Sequence, residues 1–220
     1  FEFSWKGFII SIVSSIIILS LLMFGIMPGV VTISLKLDLF FVNTLGLPIN
    51  SGVLFHMALI ILFFVLAIRS TLNNSNSKKT AILSFLALFF TGIWVLSGSG
   101  IFNFIMVILL AGFVWYISGK SKLVLNTALT AIVVILIGYS SNAIIVIRSS
   151  ANTPLDENNP ENPSTLLYFL NREQYGQRPL FRGPYFNAPV VGYKDGKAKY
   201  SEVNGKYVVT SHDLEREYDP

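Results

Sequence analysis

The chain has no cysteine, only two histidines and few charged residues, and each shortage excludes a class of function. Without cysteine it forms neither a disulfide framework nor a thiolate metal site. His56 and His212 are too few for a histidine metal centre, so we predict no metal. The sequence also lacks a P-loop, a Rossmann glycine pattern and a nucleophile elbow, and we therefore identify no cofactor.

Apolar residues are in excess: 53% of the chain is hydrophobic, only 13% is charged, and the mean hydropathy is +0.63. An apolar run of about 18 residues or more is long enough to cross a bilayer. We predict a mostly α-helical, polytopic membrane protein with about five transmembrane helices, near residues 7–27, 52–68, 81–96, 101–117 and 124–147.

The segment after the first run contains a potential helix break. Pro28-Gly29 predicts that the first helix ends there. Residues 30–46 mix large apolar side chains with Lys36, Asp38 and Asn43, which predicts a separate amphipathic helix at the membrane interface. This helix either shapes a cavity for a lipid substrate or is a plain connecting segment.

The positions of the cations predict the orientation. Lys6 precedes the first run, Lys78 lies between the second and third, and Lys120 lies between the fourth and fifth. By the positive-inside rule these loops face the cytoplasm, and residues 148–220 are delivered to the opposite side. Residues 148–220 contain nine Lys and Arg against ten Asp and Glu, so the net charge of +4 predicts no nucleic-acid partner.

Residues 148–220 are predicted to begin a small α+β extracytoplasmic domain. A short helix is expected from Pro163 to Leu170 with Ser164 as its N-cap. Lys194-Asp-Gly196 and Asn204-Gly205 are predicted hairpin turns, which gives a small β-meander. We expect the chain to be an internal part of a longer protein.

Arg148 is the first candidate site residue, because it follows the last apolar run at the depth of lipid phosphates. A guanidinium can bind a phosphate bidentately, and the amide of Asn152 can add a hydrogen bond. The alternative is an anchor that ends the span with its charge in the interface.

Asp156, Glu157 and Arg172 are candidates for contacts to a second, acceptor-side substrate, although Asn-Pro turns surround the two acids. Two polar residues of the membrane region are predicted to be structural. His56 is expected to pack inside the protein, and Asp38 is expected to be an interfacial charge paired with Lys36.

Several stretches carry a family resemblance. They are Leu39-Phe-Phe-Val-Asn-Thr-Leu-Gly-Leu-Pro-Ile-Asn-Ser-Gly52, Ile137-Gly-Tyr-Ser140, Ile147-Arg-Ser-Ser-Ala-Asn-Thr-Pro-Leu-Asp-Glu-Asn158, Tyr168-Phe-Leu-Asn-Arg-Glu-Gln-Tyr-Gly176 and Arg178-Pro-Leu180. The chain resembles Bacteroidetes membrane proteins of domain-of-unknown-function family 2723, which are relatives of the eukaryotic transmembrane protein O-mannosyltransferase.

The resemblance implies a membrane glycosyltransferase of the GT-C architecture in a bacterial inner membrane, with its C-terminal segment in the periplasm. The implied donor is a sugar, mannose by analogy, on a polyprenyl phosphate in the membrane. The implied acceptor is a Ser or Thr of an exported protein. In GT-C enzymes the catalytic acid lies in the first extracytoplasmic loop, which this chain is expected to lack, so no catalytic residue is assigned to it.

Two other functions remain open from the sequence. One is a membrane anchor that presents a binding domain to an envelope complex. The other is a transporter of lipid-linked sugars, which requires polar residues deep inside the spans. Few such residues occur in the apolar runs, mainly Ser14, Ser15, His56, Asn103 and Asn126.

Overall fold

The structure is a computed structural model that describes residues 4–73, 75–96, 99–151, 154, 159–173, 185 and 188–218. The helices in these ranges are α1 Trp5–Ser20, a π-helical turn Leu21–Ile26, α2 Met27–Asn43, α3 Ser51–Leu72, α4 Ser77–Phe90, α5 Gly100–Lys120, α6 Lys122–Tyr139, a 3₁₀ turn Ser140–Asn142, α7 Ala143–Ser149 and α8 Pro163–Leu170. Two antiparallel strands follow, β1 Val190–Val203 and β2 Lys206–Tyr218.

Four helical stretches in the described part are long and apolar enough to cross a membrane: Trp5–Asn43, Ser51–Leu72, Gly100–Lys120 and Lys122–Ser149. The chain is therefore mostly helical and has the character of a polytopic membrane protein. Helix α4 has 14 residues. It is about 21 Å long, which is shorter than the roughly 30 Å of a hydrocarbon core.

The third predicted span, residues 81–96, is helical only as far as Phe90. A turn then covers residues 91–94, and Gly92 adopts a left-handed φ of 72°. The Thr91 hydroxyl donates to the carbonyl of Leu88 and helps to close this helix end. The predicted count of five spans is thus not confirmed, because four helical stretches in the described part meet the length requirement.

The prediction that Pro28-Gly29 ends the first helix is wrong. The chain is helical without interruption from Trp5 to Asn43. The π-helical turn ends at Ile26, two residues before Pro28, and the N–H of Met27 donates to the carbonyl of Leu22, five residues earlier. This wider turn accommodates the proline, which has no N–H to donate and sits in the first turn of α2. Helix α2 therefore continues α1 instead of forming a separate helix.

Helices α3 to α6 enclose the apolar core of the bundle. Its buried members are Phe64, Ala67, Ala87, Leu88, Val114, Leu125 and Leu129. Helix α1, in contrast, has no buried residue. Large apolar side chains stay exposed on α1, α5 and α6. Such a surface suits contact with lipid, because exposing apolar side chains to hydrocarbon carries no free-energy penalty.

Polar contacts join the helices at one end of the bundle. Ser70 and Thr80 share a hydrogen bond of 2.8 Å between α3 and α4. The Lys122 amine donates to the carbonyl of Ser75 over 2.6 Å, which places the loops before α4 and α6 side by side. We call this the cation-rich end, defined by Arg69, Lys78, Lys79, Lys120 and Lys122. The loops before α4 and α6 therefore lie together, while the predicted cytoplasmic side of these loops stays a prediction.

The tail is described over residues 159–173, 185 and 188–218, and these residues contain the predicted short helix and one hairpin. Asn204 and Gly205 both have positive φ angles and form the two-residue turn, as predicted for an Asn-Gly pair. The predicted turn at Lys194-Asp-Gly196 is wrong, because β1 runs through it. One extra residue is accommodated there as a β-bulge, between the pairs Asp195 with Leu214 and Ala198 with His212.

The N-cap of α8 is Asn162 and not the predicted Ser164. The Asn162 side chain accepts a hydrogen bond from the backbone N–H of Thr165 as part of a capping box. The Ser164 hydroxyl is used elsewhere. It accepts a 3.1 Å hydrogen bond from the backbone N–H of Tyr200 and so joins α8 to β1.

Candidate functional site

Asp38 lies at the meeting point of α2, α3 and β2, where it is fully buried. Its carboxylate accepts three hydrogen bonds: from the backbone N–H of Gly52 at 2.8 Å, from that of Asn50 at 3.1 Å and from the Tyr207 hydroxyl at 2.8 Å. A buried charge needs such donors to offset its loss of water. We call Asp38, Asn43, Tyr207 and the start of α3 the joint.

The start of α3 explains two of these bonds. The N-cap residue Asn50 has a left-handed φ of 67°, and its side chain caps no backbone N–H. Asp38 supplies the missing acceptor from the neighbouring helix, at the positive end of the α3 dipole. A Cβ on Gly52 would overlap the backbone of Asp38, so glycine is what allows the two helices to approach this closely.

Asn43 forms the second contact of the joint. Its side-chain amide donates to the Tyr207 carbonyl at 2.9 Å, and its carbonyl accepts from the Tyr207 N–H at 3.0 Å. Tyr207 is the second residue of β2, directly after the hairpin turn. The tip of the hairpin is therefore held on the end of α2 by its backbone and its side chain.

Tyr207 remains a hydrogen-bond donor throughout the physiological pH range. Burial raises the pKa of its phenol, and the hydrogen bond to Asp38 raises the pKa further. Only 4% of the residue is exposed. The phenol therefore continues to donate to Asp38 as the pH rises through the physiological range.

A second polar layer lies one helical turn from the joint, at Ser34 of α2 and His56 of α3. Nε2 of His56 lies 2.8 Å from the carbonyl of Phe90, and Nδ1 lies 2.7 Å from the hydroxyl of Ser34. A carbonyl only accepts, so Nε2 carries the proton and Nδ1 accepts from Ser34. Both ring nitrogens are satisfied, which confirms the predicted packing role of His56.

Arg148 lies in the last turn of α7 and is exposed. Its guanidinium makes no hydrogen bond or ion pair with the residues that the structure describes. The stretch Lys122–Ser149 starts at the cation-rich end and has 28 residues. At about 1.5 Å per residue it is about 42 Å long, so Arg148 lies at the end of this stretch that is far from the cation-rich end.

The other predicted site residues are not brought to Arg148. Asn152, Asp156 and Glu157 lie outside the described residues, so their roles stay predictions. Arg172 lies two residues after the end of α8 with a left-handed φ of 54°, and its N–H donates to the carbonyl of Phe169. Its backbone ends the helix, while its side chain is exposed.

The predicted pairing of Asp38 with Lys36 is wrong, because the carboxylate is buried and Lys36 is exposed. Positions three or four residues apart share one face of a helix. Val31, Leu35, Asp38 and Val42 follow this spacing and are all buried, whereas Lys36 points away from them. This spacing is visible in the sequence, whereas the prediction of an interfacial helix over residues 30–46 assigns Asp38 to the surface.

No family model, curated protein or solved structure matches this chain. An assignment of function therefore depends on the contacts described above and on the sequence resemblance.

Proposed function

We propose that this chain is part of a membrane glycosyltransferase of GT-C architecture. It would transfer a sugar, with mannose expected, from a polyprenyl phosphate to Ser or Thr of exported proteins. The resemblance at Asn171–Gly176 supports the class, and the long apolar helices suit an enzyme with a lipid-linked donor. The observation that carries the proposal is Arg148: an exposed cation, free of described partners, at the end of the last long apolar helix.

An inverting sugar transfer needs two groups. A carboxylate must remove the proton from the acceptor hydroxyl, and cations or amide donors must stabilise the charge that develops on the leaving phosphate. Arg148 and Asn152 fit the second need, since a guanidinium binds phosphate bidentately. Asp156, Glu157 and Arg172 are proposed for the acceptor side.

Asp38 does not fit the first need. Its oxygens already accept three hydrogen bonds, and the carboxylate is fully buried beneath Tyr207. The proposal therefore assigns the joint a structural task and assigns the catalytic carboxylate to an earlier extracytoplasmic loop, as the resemblance implies.

The proposal requires the joint to face the periplasm of a bacterium, with the enzyme in the inner membrane. The cation-rich end would then face the cytoplasm, in agreement with the positive-inside rule. Lipid-linked donors and exported acceptors meet on the periplasmic side.

The direct test is an activity assay on the complete protein that contains this chain. Purified protein is mixed with polyprenyl-phosphate mannose and a Ser/Thr acceptor peptide, with heat-inactivated protein as the control. We expect glycosylated peptide from the complete protein and none from residues 1–220 alone, because the proposal assigns the base to a loop outside these residues. No product with mannose or with other polyprenyl-phosphate sugars would contradict the proposal. Product from residues 1–220 would place the base within this chain, with Asp156 the first residue to substitute.

One observation favours the second candidate, a membrane anchor that presents a binding domain. The hairpin displays apolar side chains at its surface, among them Val191 and Tyr193, which are each 63% exposed. A two-stranded sheet also leaves backbone groups unpaired at its edges, where a partner strand can add.

A transporter has no comparable support. The polar side chains between the helices form hydrogen bonds with one another or with the backbone; they are Ser34, His56, Ser70, Thr71, Thr80 and Asn126.

A further inference from the structure

The cation-rich end lacks internal counter-charges. Asp38 is the only acidic residue between residues 3 and 155, and its carboxylate is committed to the joint. Arg69, Lys78 and Lys79 are exposed, and within the described ranges none of them forms an ion pair. The anion that balances this charge must therefore come from outside residues 3–155.

A pocket of about 220 Å³ lies among these cations, between the end of α3 and the start of α4. Arg69 and Lys79 line it on opposite helices, and Asn73 and Ser75 contribute polar groups from the connecting loop. Leu66 and Leu83 form its apolar walls. The pocket thus combines positive charge, hydrogen-bonding groups and apolar side chains.

The order of these groups along the helices matches an amphiphilic ligand. Leu66 lies one turn from Arg69 towards the middle of α3, and Leu83 lies one turn from Lys79 towards the middle of α4. The cations are therefore nearer the helix ends, and the leucines are nearer the apolar core. Lys122 adds positive charge beside the pocket, where its amine contacts the Ser75 carbonyl.

We propose that this pocket binds the phosphate head group of an anionic membrane lipid, with an acyl chain along Leu66 and Leu83. Basic pockets between transmembrane helices recognise anionic lipids by this combination of charge and apolar surface. The site is independent of sugar transfer, and it lies at the opposite end of the bundle from Arg148. Inorganic phosphate shares the charge of the head group but has nothing to place against the leucines.

Lys78 provides a matched control. It is exposed, lies in the same first turn of α4 as Lys79 and carries the same charge, but it does not line the pocket. If cations attract an anionic membrane only in a general way, substitution of either lysine weakens lipid binding equally. If the pocket is a specific site, substitution of Lys79 weakens lipid binding and substitution of Lys78 does not.

The test measures lipid retention by native mass spectrometry on the purified chain, titrated with phosphatidylglycerol, phosphatidylcholine or inorganic phosphate. We expect phosphatidylglycerol to be retained in preference to the other two. Arg69→Gln and Lys79→Gln should each weaken its binding about fivefold, whereas Lys78→Gln should bind like the wild type. Leu66→Gln, at an exposed position, should weaken lipid binding while the helical circular dichroism stays unchanged.

Three results would overturn the proposal. Equal losses in Lys78→Gln and Lys79→Gln would show that charge density alone holds the lipid. Inorganic phosphate that binds as well as phosphatidylglycerol, together with an unaffected Leu66→Gln variant, would assign the pocket to a soluble anion. Equal retention of phosphatidylcholine would remove the role of the cations.

Discussion

Arg148→Ala in the complete enzyme is expected to lower donor use about ten- to a hundredfold, because a charge-assisted contact to phosphate is worth roughly 1.5–3 kcal/mol. The loss should appear with the polyprenyl-phosphate donor and not with the acceptor peptide. Steady-state kinetics with each substrate varied in turn separates the two.

Arg148→Lys distinguishes bidentate phosphate binding from a simple anchoring role. An ammonium keeps the charge but cannot bind a phosphate through two parallel hydrogen bonds, so it should restore only part of the donor use. Lys194→Ala is the matched control, since Lys194 is an exposed cation on β1 of the tail. If Arg148 is only an anchor in the interface, lysine should replace it freely, and Arg148→Ala should change expression more than donor affinity.

Asp38→Ala is expected to be among the most destabilising single substitutions in the chain. It removes the acceptor of three hydrogen bonds and leaves the backbone N–H groups of Asn50 and Gly52 without their partner. Hydrogen bonds to a charged group contribute about 1.5–3 kcal/mol each, so the free energy of unfolding should fall by on the order of 3 kcal/mol or more.

Two readouts separate the parts of this effect. Thermal unfolding in detergent reports the loss of the cap on α3, and limited proteolysis reports release of the hairpin. Asp195→Ala is the control, because Asp195 is an exposed carboxylate on β1. Unchanged unfolding and proteolysis in Asp38→Ala would show that the carboxylate does not hold the joint together.

Local patterns predicted much of the fold. The apolar runs at residues 52–68 and 101–117 lie within α3 and α5, because length and hydropathy alone determine such helices. The turn at Asn204-Gly205 was predictable, since both residues tolerate positive φ. The predicted break at Pro28 is wrong because a six-residue π-helical turn, which leaves no signal in the composition, comes before the proline.

The candidate site was less predictable. The Tyr207 hydroxyl and Asp38 are 169 residues apart in the sequence, and nothing in either local segment indicates their contact. Whether Asp38 is an interfacial charge or a buried acceptor depends on which helix packs beside it, which is a tertiary property. Arg148, in contrast, stands out in the sequence as the first cation after the last apolar run.

The joint also bears on the proposed function. Arg148 leads into the tail, and the tail is fixed to α2 through Asn43 and Asp38. A hairpin fixed in this way has a defined position relative to α2 and the start of α3. Binding and catalysis both need such preorganisation.

The most direct test of the central claim, that the tail is docked on the helical bundle through Asp38, is a double-mutant cycle. The free energies of unfolding of the wild type, Asp38→Ala, Tyr207→Phe and the double variant are measured under one set of conditions. We predict a coupling energy of about 1.5 kcal/mol or more, as for a hydrogen bond to a charged group. Losses that add to within about 0.5 kcal/mol would mean that the two residues do not interact, and would contradict the account.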